Sequence, residues 1–327
     1  VVAVLAGIIL YTFKDMAGPI LQQLKQTSIA VILVICLCSV GYEVMEGWIT
    51  AGLAKVYQPD FTIGSGVESA FVCSFYRLAT LGSGAGIAAV CYLGEKGIPV
   101  SRGTGMYMAE YVLHKLSIAL FSILFFVINF PYMMRYFRKY TWMLAGGYAI
   151  TAAVSVVLIV VCCSVRLHGL ILYLLEKCNR NGRLQETIVR LEEQFAILEE
   201  ATTVLFRKKK IIAVTIVKNL VKLAFWYGIP YFVLRTQCQI TLSQTMAVTA
   251  LSVMLAAVIP SPAGIGSTEF IFTLLFGMIA ETSEAGASSL LYRFATFVVP
   301  FGIGAVVILL RRIRKKKELR KKEHSII

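Results

Sequence analysis

Nine ionisable side chains stand inside apolar stretches of this sequence: Glu43, Glu46, Arg77, Glu110, Lys115, Lys218, Lys222, Glu269 and Arg293. Charge at membrane depth is costly and turns toward a partner or a wet cavity. The bases suit a phosphate or another anion, and the acids suit an ammonium group. Pairing for structure alone would also account for any one of them. Lys218 and Lys222 are the weakest candidates, because their long stems let the ammonium reach the headgroups. Glu269 follows a stretch that is not helical throughout. Pro260 and Pro262 lack a backbone N–H and disfavour helix in the residue before them. Gly264 and Gly266 then permit a turn, and Ser267 or Thr268 is placed to cap a new helix. A helix restarting in a bilayer directs bare N–H groups and a positive dipole end into a cavity, which suits a lipid phosphate.

These residues need spans to carry them. Of 327 residues, 58% are hydrophobic and 15% charged, with a mean hydropathy of +0.76. A soluble domain carries about a quarter charged residues, so the composition indicates an all-α, polytopic membrane protein. Spans are expected at 1–13, 28–54, 104–133, 141–165, 211–234 and 285–310. The stretches 67–93 and 243–279 are apolar but broken, the first at Gly82-Ser-Gly-Ala-Gly86. Apolar residues at helical spacing make 184–206 an amphipathic helix, lying on the membrane face or on the protein's own bundle. The net charge of +14 collects at span ends and in the tail, where 311–322 holds nine bases. That pattern indicates a cytoplasmic C-terminus rather than nucleic-acid binding. The eight cysteines and three histidines form no metal or disulfide pattern, so no cofactor is expected. No nucleophile–base constellation is visible, and the reading is a non-enzyme.

Two parts of the chain echo one another. Leu81-Gly-Ser-Gly-Ala-Gly-Ile-Ala88 aligns with Ile259-Pro-Ser-Pro-Ala-Gly-Ile-Gly266, and Lys115 aligns with Arg293 without a gap (115 − 86 = 29; 293 − 264 = 29). Duplication is the reading. With the tail and 207–210 inside, 243–279 becomes a re-entrant hairpin from outside and 67–93 one from inside. The chain is then a single membrane domain over 1–327. Inverted repeats lie at about 28–133 and 211–310, with a cytosolic connector at 166–210 and a basic tail at 311–327. Arg135, Arg138 and Lys139 fall outside in this topology, against the positive-inside bias; a full crossing by 67–93 is the alternative, and the halves would then not be inverted.

Pro260-Ser-Pro-Ala-Gly-Ile-Gly-Ser-Thr-Glu269 resembles the P-x-P-G-G-x-G-x-x-E signature of the lysylphosphatidylglycerol synthase transmembrane family, the flippase portion of multiple peptide resistance factor. Ser289-Leu-Leu-Tyr-Arg293 is similar to that family's Y-R span. Ala263 replaces a family glycine, and the first-half motif lacks prolines. The resemblance implies movement of aminoacylated phosphatidylglycerol, or a related phospholipid, across a bacterial inner membrane, linked to resistance against cationic peptides. It also implies phospholipid partners, with a homodimer as a further expectation. The family's C-terminal synthase domain is expected to be absent, with a lysyltransferase-family protein named by homology as an alternative. On this reading the helix N-termini, Lys115 and Arg293 hold phosphate. Glu269, Glu110 and Glu43 or Glu46 hold the cationic group, with Arg77, Gly84 and Gly86 lining the first hairpin. A secondary transporter of a small ion or polar solute is the alternative.

Overall fold

The computed structural model describes residues 25–140, 164–179, 185–206, 208–259 and 261–324, with isolated positions at 22–23 and between 142 and 157. The expected span at 1–13, most of that at 141–165, and Pro260 lie outside the described residues. Four described helical stretches are long and apolar enough to cross a bilayer: Ile29–Ala54, Val100–Ile128, Lys209–Leu234 and Thr282–Lys317.

Helix α1, Ile29–Ala54, starts at Ser28, whose hydroxyl accepts from the Val31 N–H. Its 26 residues extend about 39 Å, enough for the hydrocarbon core. One stripe of α1 (Ile29, Leu33, Leu37, Val44, Trp48) is exposed and apolar, as a lipid-facing surface requires. The opposite face meets α2, Ile63–Ala79, where backbones touch. A Cβ on Gly66 would lie 2.0 Å from the Gly47 carbonyl oxygen. Small residues permit this approach, and dispersion then holds the helices without a hydrophobic drive.

After α2 the chain turns at Leu81 (φ 52°) and Gly82 (φ 103°) and restarts as α3, Ala85–Glu95. The legs fold back on one another, since the Tyr92 hydroxyl near the end of α3 donates to Glu68 near the start of α2 (2.9 Å). The stretch 67–93 is therefore a helical hairpin that turns without proline. Helix α4, Val100–Ile128, leads from its mouth and is followed at Pro131 by the short α5, Phe130–Phe137. Helices α6, Val165–Cys178, and α7, Gln185–Phe206, form the connector. Helix α7 packs along α4 with Ile188 buried, so the amphipathic helix lies on the protein's own bundle.

The second half begins with α8, Lys209–Tyr227, which Pro230 separates from α9, Ile229–Leu234. The second broken stretch consists of α10, Leu242–Ala256, a turn, and α11, Ser267–Phe276. Asn129 at the end of α4 donates to Ser243 at the start of α10 (2.8 Å to Oγ). Helix α4 thus runs from the mouth of the first hairpin to the mouth of the second. The last expected span is two helices, α12 (Thr282–Arg293) and α13 (Val299–His324), joined by a π-helical turn, Phe294–Val298. Pro300 explains that turn, because it offers no N–H to the carbonyl of Thr296 four residues back. Helix α13 runs on into the basic tail. There Arg311 pairs with Glu68 (3.0 Å) and Glu95 (2.6 Å), and Lys315 pairs with Glu95, across the first hairpin's mouth. These contacts hold the Glu95 carboxyl below its ordinary range, Lys315 first and then Arg311.

The halves share a pattern, in a register different from the sequence alignment. Positive φ falls on Leu81 and Gly82 in one half and on Ala263 and Gly264 in the other. The turns, the hairpin's second legs and the following helices all stand 182 residues apart (263 − 81, 267 − 85, 282 − 100). The alignment of Gly86 with Gly264 gives 178. In the structural register Arg293 matches Tyr111, and Lys115 matches Phe297. Each base lies over the neighbouring aromatic, Lys115 over Tyr111 and Arg293 over Phe297, so base and ring exchange places between the halves.

Candidate functional site

The two hairpin tips meet. A Cβ on Gly82 would come 3.8 Å from the Ala263 backbone nitrogen. Beside this junction lies a cavity of about 550 Å³, bounded by α1, α2, α3, α4, Trp226 of α8 and the second tip. Arg77, Lys115, Glu46 and Glu110 face it. A second cavity, about 380 Å³, lies toward α10 and α12 and takes in Thr268 and Arg293. The cavities share Tyr42, His114, Trp226, Phe297 and the tip residues Ser261, Ala263 and Gly264. Tyr42 and Trp226 stack face to face at 3.5 Å and form part of the partition.

Cations and acids within this interior differ sharply in what they touch. Lys222 is fully buried and pairs with Glu46 at 2.5 Å. It therefore does not reach for the headgroups, because the nearer carboxylate neutralises it inside the bundle. Lys218 stays near the surface over the Trp48 ring (4.2 Å). Glu110 accepts from Thr50 (2.9 Å). Glu43 is fully buried, takes a hydrogen bond from Ser74 (2.7 Å), and lines neither of the two cavities. Arg77 and Lys115 make no ion pair with any described residue, although both face the larger cavity.

Arg293 and Glu269 are committed to each other. The Arg293 Nε donates to Glu269 at 2.5 Å, and another guanidinium nitrogen donates to the Gly264 carbonyl. Glu269 also accepts from the Gly266 N–H (2.7 Å). Gly266, rather than Ser267 or Thr268, therefore precedes the first turn of α11, and a carboxylate from the same helix occupies its positive end. The pair braces the second tip. Ser267 shares a hydrogen bond with Ser261 (2.6 Å), closing the base of the turn. Pro262 belongs to that turn. Gly84 borders a separate groove under Arg311, and Gly86 packs against Tyr107, where a Cβ would lie 2.8 Å from the ring.

The sequence-expected site residues thus divide. Arg77, Lys115, Glu110 and Glu46 come together at one cavity, Arg293 and Thr268 at the other, and Glu43, Gly84 and Gly86 stand apart. Tyr42, Trp226, His114 and Phe297 were missed as site residues, although Tyr42 sits one helical turn before Glu46, a spacing that places both on one face.

A bundle of apolar helices, two folded-back hairpins and a charged interior cavity define a polytopic helical membrane protein with an internal polar site. The chain belongs to the family described as the lysylphosphatidylglycerol synthase TM region, whose model matches residues 1–304. No curated protein matches it.

Proposed function

We propose that this protein moves phospholipids with an anionic or aminoacylated glycerophosphate headgroup between the leaflets of a bacterial inner membrane. One observation carries the reading: two hairpin tips lie side by side at a cavity where Arg77 and Lys115 have no ion-pair partner among the described residues. A guanidinium and an ammonium that make no salt bridge with a described residue suit a phosphate, and Glu110 suits the ammonium of an aminoacyl ester. The volume falls within the range of small-ligand sites, about 300–1,000 Å³. The hairpins are re-entrant from opposite sides, the halves are inverted copies, and the basic end of α13 is cytoplasmic. The mouths at opposite ends of α4 support this arrangement. In such folds the halves rock about a fixed midplane site, opening it to each side in turn. The protein acts without making or breaking a covalent bond, and the family's link to lipid supports a lipid substrate.

Reconstitution into vesicles with leaflet-labelled phosphatidylglycerol or lysylphosphatidylglycerol tests this. The native protein should move both, and Arg77→Ala with Lys115→Ala should slow movement at least about tenfold, the loss of one charge-assisted contact. Native-rate movement by the double variant would overturn the site. Uptake of soluble anions with no lipid movement would make it a solute transporter, and new lipid on adding aminoacyl-tRNA would make it an enzyme.

A further inference from the structure

Glu43 is the one described acid of the first half with no exposed surface, and neither cavity uses it. Its residue has no exposed surface, Ser74 satisfies Oε1, and Oε2 has no donor. Ser74 and Arg77 sit three residues apart on α2, so they share a face. Arg77 is thus one helical turn from the contact that holds Glu43, yet it makes no salt bridge with Glu43 or any other described acid.

The other charges nearby are accounted for. On α1 itself Glu46 is taken by Lys222 of α8, and Tyr42 stacks on Trp226. On α2 Cys73 faces the cavity. On α4 Glu110 is held by Thr50, His114 has a buried Nδ1 with no partner, and Lys115 lies over Tyr111. The π turn contributes the Phe297 ring beside Arg77's cavity rather than charge. Arg77 therefore has two alternative partners, the open oxygen of Glu43 and an anion in the cavity.

We propose that Glu43 is a proton-binding site whose occupancy exchanges with anion binding at Arg77, so that one proton enters with each anionic headgroup. An ionised carboxylate buried without a cation is strongly unfavourable. When Arg77 swings to a phosphate, Glu43 takes a proton from the water on the open side. When the phosphate leaves, Arg77 moves onto the open oxygen of Glu43 and the proton is released. The exchange is a carboxylate–guanidinium pair plus a proton and an anion, giving a carboxylic acid plus a guanidinium–anion pair. Charge balances, and one anion with one proton crosses as a neutral load. The inference rests on Arg77 as the headgroup ligand, and its test does not require lipid movement.

Purified protein in weakly buffered detergent is mixed with short-chain phosphatidylglycerol, glycerol 3-phosphate or phosphatidylcholine. Proton uptake and the infrared band of protonated carboxyl are followed. Phosphatidylglycerol should drive uptake of about one proton per chain and raise the carboxyl band, whereas phosphatidylcholine should do neither. Uptake with glycerol 3-phosphate as well would show that the headgroup alone suffices. Glu43→Gln and Arg77→Ala should each abolish the response, and Glu43→Asp should restore it, which separates loss of the carboxyl from loss of folding. Phosphatidylglycerol binding to the native protein with no proton uptake would overturn the proposal, as would unchanged uptake in Glu43→Gln. Lipid movement in vesicles without uptake would sink this inference and leave the function standing.

Discussion

Removing either partner of the Glu46–Lys222 pair should destabilise the protein, and the two losses should be unequal. Lys222 has a fully buried side chain, whereas the Glu46 side chain keeps 22% exposure toward the cavity. Glu46→Gln therefore strands an ammonium with no access to water. Uncompensated buried charges cost about 3–5 kcal/mol. Lys222→Met leaves a carboxylate that the cavity solvates in part, so its cost should fall lower, roughly 1–3 kcal/mol. At about 2 °C per kcal/mol for a chain of this size, Glu46→Gln should lower the thermal midpoint by roughly 5–10 °C and Lys222→Met by about half as much. The double variant Glu46→Leu/Lys222→Met removes both charges and should recover most of the loss. Detergent-solubilised protein, followed by tryptophan fluorescence and by size-exclusion after heating, provides the measurement. Additive losses in the double variant, or a larger loss for Lys222→Met than for Glu46→Gln, would refute the reasoning.

Other expectations follow from single contacts. Gly66→Leu should prevent folding, because its Cβ would stand 2.0 Å from the Gly47 carbonyl oxygen, whereas Gly94→Ala, with nothing within 4 Å, should be silent; yield of monodisperse protein decides. Gly82→Val combines a left-handed φ of 103° with the tip contact. It should cost about 1–3 kcal/mol and slow lipid movement in vesicles while the protein still inserts. The lowered Glu95 carboxyl favours the folded, ionised state, so its contribution is present above the ordinary carboxylate range near 4.5 and is lost as pH falls through the lowered folded value. Since Glu95 is 44% exposed, the effect should be small, screened by salt, and absent in Lys315→Ala/Arg311→Ala. Thermal midpoints at neutral and acid pH, with and without salt, check it.

The elements were largely legible in the chain itself. Twenty apolar residues in a row specify a span because no shorter helix crosses the hydrocarbon. Pro131, Pro230 and Pro300 each remove a backbone donor, yet the expected spans 104–133, 211–234 and 285–310 run through them unbroken, and the structure shows the interruptions. Candidate charges such as Arg77 and Glu110 were also legible, since an ionisable side chain in an apolar run is conspicuous without any structure. Their partners were not. Glu46 meets Lys222 across 176 positions, and Arg293 meets Glu269 and Gly264 rather than standing open as Arg77 does. Helical periodicity specifies which face a side chain takes, whereas the neighbour on that face depends on how distant helices cross. Contacts such as Gly47 on Gly66 set those crossings. The same limit bears on the proposed repeat: matching letters aligned Gly86 with Gly264, whereas positive φ, visible only in the folded chain, falls on Leu81–Gly82 and Ala263–Gly264, four residues out of that alignment.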